Sequence, residues 1–185
     1  MFPYSIINFY LFISSLVKYD RLLSYGNFIV MFLICTTYYN GSDWRSYELV
    51  YYSSEDGKSN WNFSIFLVFA FFQKLGINFH VMLICCKSLV AYSVYRFIQK
   101  HSPSPQFAFS IFILLGGYYL FVDNPFRQML AIPFVLYFFS SLVERSKVKM
   151  GFSLLIGASL HTSVVLLIPL VFFRSAISKN QYAII

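Results

Sequence analysis

The sequence predicts an all-α protein of the membrane. It reads as a polytopic transmembrane helix bundle of about six full spans plus one short re-entrant or interfacial helix, in a single domain over residues 1–185. Three observations predict this class. The chain is 58% hydrophobic and 11% charged, with a mean hydropathy of +0.65, whereas soluble domains carry about 25% charged residues. Its apolar residues fall into runs of span length separated by short polar loops, and a bilayer core satisfies backbone groups only in helices or closed barrels. Its basic residues gather in those loops, so the net charge of +7 sets topology and gives no reason to expect a nucleic-acid partner.

The elements follow in order. The first span is expected over Phe2–Val17, the second over Leu22–Tyr38, with Lys18, Asp20 and Arg21 between them. No positive segment precedes the first run and no small-x-small site follows it, so it reads as a retained span. A net acidic polar loop, Tyr39–Asn62, comes next. Phe63–Leu75 is apolar but about thirteen residues long, roughly 20 Å as a helix, which falls short of a hydrocarbon core of about 30 Å. Gly76-Ile77-Asn78 breaks it. The remaining spans are expected at Phe79–Phe97, Phe107–Val122, Phe126–Val143 and Met150–Phe173. Pro133 and Pro169 lie inside them, where a kink beside a cavity is expected.

Positive residues favour the cytoplasm. With Phe63–Leu75 as a re-entrant or interfacial helix, the basic loops at 18–21, 96–106 and 145–149 all fall inside, and the acidic loop falls outside with Arg127. Arg174 and Lys179 then lie outside, against the rule.

Several polar groups invite a chemical reading. Asn124 suits an N-cap and Pro125 the first helical position, so Arg127 is expected in the first turn of a helix. Free N–H groups and a guanidinium there converge on an anion. Pairing with Asp123, or reaching a lipid headgroup, is the plainer alternative. His161 is expected about eleven residues, roughly 16 Å, into its span, where ionisable groups face a bundle interior or a watery cavity. Gly157 and Ala158, one turn earlier, allow close helix contact; a neutral histidine bonded to a neighbouring helix is the alternative. Lys87 is a further intramembrane cation, on the helix face of His80, suited to a phosphate or to a carboxylate. Cys35, Cys85 and Cys86 lie in apolar stretches without metal spacing. No Gly-rich nucleotide loop and no Asp-x-Asp motif occurs, so neither a cofactor nor a metal is expected.

The order of motifs resembles one family. Asn40-Gly41-Ser42-Asp43-Trp44-Arg45-Ser46-Tyr47, then Phe126-Arg127-Gln128-Met129-Leu130-Ala131, a basic hairpin, and Leu160-His161-Thr162-Ser163 look like the EpsG-type polysaccharide polymerases, relatives of the Wzy O-antigen polymerases. The resemblance covers about residues 38–173. It implies a GT-C-like bundle in the bacterial cytoplasmic membrane. It also implies an outward-facing, metal-independent glycosyltransferase that joins undecaprenyl-diphosphate-linked oligosaccharide repeat units. Flippase and chain-length regulator proteins are its implied partners, with membrane lipid around it. Members usually continue beyond the His-bearing helix, so this chain is expected to be the N-terminal part of a longer polymerase.

Under that resemblance Asp43, Arg127 and His161 are the expected catalytic residues. Arg127 neutralises the departing diphosphate, and Asp43 or His161 orients or deprotonates the acceptor hydroxyl. Arg45, Trp44, Tyr47 and Lys87 are the expected substrate-binding residues, although Trp44 and Tyr47 suit interfacial anchors equally well. Another GT-C-type glycosyltransferase and a non-catalytic lipid-sugar flippase are the alternatives. The flippase predicts internal repeats, and the sequence has none.

Overall fold

Large apolar side chains point outward and several polar ones inward. Leu67, Phe71, Leu89, Leu155 and Phe172 are exposed, whereas Lys87, Gln106, Ser141 and Ser153 are buried. So many exposed apolar side chains suit a lipid surround. The computed structural model describes residues 9–10, 12–14, 16, 21–37, 44–53, 63–113 and 126–173. The described residues fold into helices: α1 (Arg21–Thr37), α2 (Trp44–Tyr52), α3 (Phe63–Lys74), α4 (Phe79–His101), α5 (Pro105–Phe112), α6 (Phe126–Val143), α7 (Lys147–Leu160), a 3-10 segment (Thr162–Leu167) and α8 (Ile168–Phe173).

The longest helix, α4, is the axis of the bundle. Asn78 starts it by accepting the Val81 N–H at 2.9 Å through its side chain. With 23 residues it is about 35 Å long, and with α6 it is one of two described helices long and apolar enough to cross a membrane. The buried face of α4 carries Phe79, Met82, Leu83, Cys86, Lys87, Val90 and Val94. Antiparallel to it runs α1, whose Ser24 accepts a hydrogen bond from Gln99 and whose Phe28 ring lies 4.7 Å from that of Tyr95.

One end of the bundle is basic. There Glu144, in the turn after α6, receives Lys100 Nζ of α4 at 2.6 Å and Lys149 Nζ of α7 at 2.7 Å. His101 and Ser140 meet beside them at 2.9 Å. The loops around 100 and 145 therefore share one end, as positive-inside reasoning requires. The turn itself is a Schellman motif: Ser146 N–H bonds to Ser141 C=O and Arg145 N–H to Leu142 C=O, with Arg145 at φ 58° where glycine is usual.

At the far end α2 lies against the starts of α4 and α6. This corrects the reading of 39–62 as a plain loop: residues 44–52 form a helix whose Tyr47 and Tyr51, one turn apart, are buried. Tyr51 hydroxyl donates to Ile77 C=O, Gln73 donates to Tyr51 C=O, and Tyr52 hydroxyl accepts the Phe79 N–H at 3.1 Å. The C-terminus of α3 ends at this same far end in a second Schellman turn, with Gly76 at φ 69°. With 12 residues α3 is about 18 Å long, so it reaches only half-way down α4. Ser53 and Ile77 thus lie at the same end of the bundle.

A second correction concerns the last apolar stretch. It is not one continuous helix, because α7 stops at Leu160 and His161 takes an extended conformation (φ −147°, ψ 120°) before the 3-10 segment. Gly157 permits this. A Cβ there would meet Val164 Cγ1 at 3.0 Å and Phe134 Cβ at 3.4 Å, so the chain folds back onto α7 while α7 presses on α6. Of the six expected full spans, α4 and α6 alone meet the length criterion among the described residues. Residues 114–125 and most of the first expected span lie outside those residues.

Candidate active site

The far end is built on aromatic packing. Tyr47 of α2 meets Phe126 at 5.3 Å between ring centroids, Phe126 meets Phe69 of α3 at 6.0 Å, and Phe69 meets Tyr51 edge-on at 5.3 Å. This cluster fixes the start of α6 and hence the position of Arg127. The guanidinium is half-buried, and its Nε is buried without a hydrogen-bond partner among the described residues. A buried donor left in this condition costs about 1–3 kcal/mol, a cost that an arriving anion removes.

Around it the other expected residues divide. Trp44 is half-buried, its ring 6.5 Å from that of His80, and His80 Nε2 lies 3.5 Å from Glu48 Oε1. Arg45 is exposed on the same helix. The Tyr47 ring is buried against Phe126 and so seats α2 on α6. Lys87 is 1% exposed in the middle of α4. Asp43, Asn124 and Pro125 lie outside the described residues. The Glu48–His80 pair was invisible to sequence reasoning, since nothing in the spacing joins positions so far apart.

His161 sits half-exposed at the break between α7 and the 3-10 segment, its N–H bonded to Gly157 C=O at 2.9 Å. Counted along each helix from the basic end, Lys87 lies about 21 Å up α4, Arg127 about 24 Å up α6 and His161 about 21 Å up α7. Two cations and a histidine thus share one level on packed helices. The match between residue counts on three helices is the signal that could have found this.

Beside this level an apolar cavity of about 530 Å³ opens between α3, α4, α6 and α7. Cys86, Leu89, Leu130, Phe134 and Leu160 line it, with Ser64 at the start of α3. It suits a hydrocarbon chain. Among the described residues no three His, Cys, Asp or Glu side chains gather as a metal site requires.

A family model, that of the EpsG family, matches residues 21–185. The chain belongs to the EpsG family. That match extends over both the Trp44–Tyr47 and the Arg127–His161 segments, in the order in which the motifs resembled this family of polysaccharide polymerases. No curated protein and no solved structure matches the chain.

Proposed function

We propose that this EpsG-family chain carries the catalytic end of a polysaccharide polymerase that joins undecaprenyl-diphosphate-linked oligosaccharide repeat units on the outer face of the bacterial cytoplasmic membrane. The observation that carries the reading is Arg127: a guanidinium in the first turn of α6, whose buried Nε has no hydrogen-bond partner among the described residues, at the end of the bundle opposite the basic loops. A cation at a positive helix end is unfavourable by itself, and a phosphate docking there relieves that cost.

The reaction is a metal-independent displacement at the anomeric carbon of one lipid-linked unit. The acceptor hydroxyl oxygen forms the new bond to that carbon, and the bond from the carbon to the diphosphate oxygen breaks. The hydroxyl proton passes to Asp43 or His161, and undecaprenyl diphosphate leaves with its negative charge on Arg127. Lys87 and Arg45 add positive potential near the leaving group, and Trp44 offers a partly exposed ring to sugar. The apolar cavity beside these groups accepts prenyl carbon. The topology that serves this has a multi-pass bundle of about six spans, with Phe63–Leu75 as a re-entrant or interfacial helix on the outer side. Flippase and chain-length regulator proteins would work beside it.

The test is replacement of Arg127 in the complete protein. Arg127→Ala should lower repeat-unit joining by about 10²–10³ while the protein still inserts. Arg127→Lys should restore part of it, since an ammonium lacks the planar fork. His161→Ala should impair joining and leave binding of the lipid diphosphate intact. Unchanged polymer length and donor binding in Arg127→Ala, at normal protein levels, would refute the mechanism.

A further inference from the structure

A second cleft, of about 300 Å³, opens between the C-terminal halves of α4 and α6 at the basic end, remote from Arg127. Its polarity changes along its length. The deep part is lined by Tyr92, Pro133 and Leu136, with Pro133 about 15 Å from the basic end. The mouth is lined by Arg96, Lys100 and Glu144. Tyr92 and Arg96 are both exposed, so the cleft opens sideways, onto the surface where apolar side chains point outward.

The charges at the mouth are unequal. Glu144 is shared by Lys100 and Lys149, so this trio keeps a net positive charge. Arg96, about 8 Å below the basic end, makes no hydrogen bond or ion pair among the described residues. A guanidinium at that depth takes a phosphate readily, through two parallel N–H bonds. Its position, one turn below Lys100 and above an apolar slot, has the polarity of a phospholipid: charged head at the surface, hydrocarbon beneath.

We propose that this cleft is a site for one anionic phospholipid of the leaflet at the basic end. The phosphodiester lies between Arg96 and Lys100, and an acyl chain runs along Tyr92, Pro133 and Leu136. Basic pockets between helices on the cytoplasmic side recognise anionic headgroups in this way. The inference rests on the membrane placement of the bundle and is independent of the polymerase reading.

The test uses the full chain purified in detergent, after its resistance to carbonate extraction has established insertion. Dioleoyl phosphatidylglycerol, dioleoyl phosphatidylcholine and inorganic phosphate are added separately, with retention read by native mass spectrometry and stabilisation by thermal melting. Phosphatidylglycerol should be retained and should raise the melting midpoint. Phosphatidylcholine and inorganic phosphate should do neither, the first lacking net charge and the second lacking a chain. Arg96→Gln, at an exposed position, should weaken retention about fivefold, and Arg96→Lys should recover part. Leu136→Trp, which fills the slot and leaves the guanidinium, should also lose the lipid while melting normally without it. Equal retention of both lipids, equal retention by Arg96→Gln, an effect reproduced by inorganic phosphate, or a second copy of the chain retained in place of lipid would each overturn the proposal.

Discussion

Gly157→Ala is the sharpest probe of how the His161 break is held. The new Cβ would sit 3.0 Å from Val164 Cγ1 and 3.4 Å from Phe134 Cβ, so a neighbour must move. Alanine improves helix propensity by about 1 kcal/mol, and overpacking costs about 1–3 kcal/mol, which leaves a net loss of about 0–2 kcal/mol. Val164 is 4% exposed, so Val164→Ala alone should cost about 2 kcal/mol through lost burial and a residual void. That void lies where the methyl added at position 157 needs room. The double substitution should therefore cost only about 1 kcal/mol, against an additive expectation of about 2–4 kcal/mol. In a domain of this size 1 kcal/mol moves the midpoint by about 2–4 °C, so thermal melting of the four proteins in one detergent resolves the coupling. Under the proposed function, repeat-unit joining should follow the same order, because Val164 N–H bonds to His161 C=O at 3.1 Å and any shift of Val164 carries His161 with it. A double mutant that melts at or below the additive value would refute the idea that the break depends on this contact.

Three further outcomes follow from the geometry. In a chain cleared of its native cysteines, Ser53→Cys and Asn78→Cys should label from one side of the membrane and Ser146→Cys from the other; labelling of Ser53→Cys and Asn78→Cys from opposite sides would make residues 63–74 a true crossing. Gly76→Ala should destabilise by about 1–2 kcal/mol, because an alanine at φ 69° meets the left-handed penalty while open space around it offers no contact in return. The Glu144 carboxyl is held down to about 2 by hydrogen bonds from Lys100 and then Lys149, below its ordinary 4.5. Its clasp should stabilise the hairpin fully above pH 4.5 and fade as pH falls toward 2, so melting curves of the native chain and Glu144→Gln should differ at pH 6 and converge over that window.

What the sequence made legible was decided by local signals. Gly76 and Asn78 marked the end of α3 and the start of α4, and the run expected over Phe126–Val143 has the bounds of α6. The second run, expected over Leu22–Tyr38, shifts by one residue at each end. The helix at Trp44–Tyr52 was missed because its composition is nearly neutral in hydropathy; its one clue was Tyr47 and Tyr51 a turn apart, which also suits an interfacial anchor. The break at His161 was missed for a different reason. Residues 150–173 are apolar on both sides of it, and no proline or glycine stands at the break itself. Its cause is tertiary, a glycine one turn earlier that admits Val164. Arg127 at the start of a helix was legible from its neighbours, whereas its level with Lys87 and His161 needed three helix registers at once.

The half-length α3 also bears on the order of assembly. Its buried residues, Ile65 and Phe69, face partners that include Phe126, about 57 residues further along the chain. At a synthesis rate of about 5–20 residues per second, roughly 3–11 s pass before that partner is made. A helix of 12 residues cannot hold itself across a bilayer in the meantime. Insertion of α4 therefore comes first, and the packing of α3 at the far end of the bundle is completed only when α6 arrives.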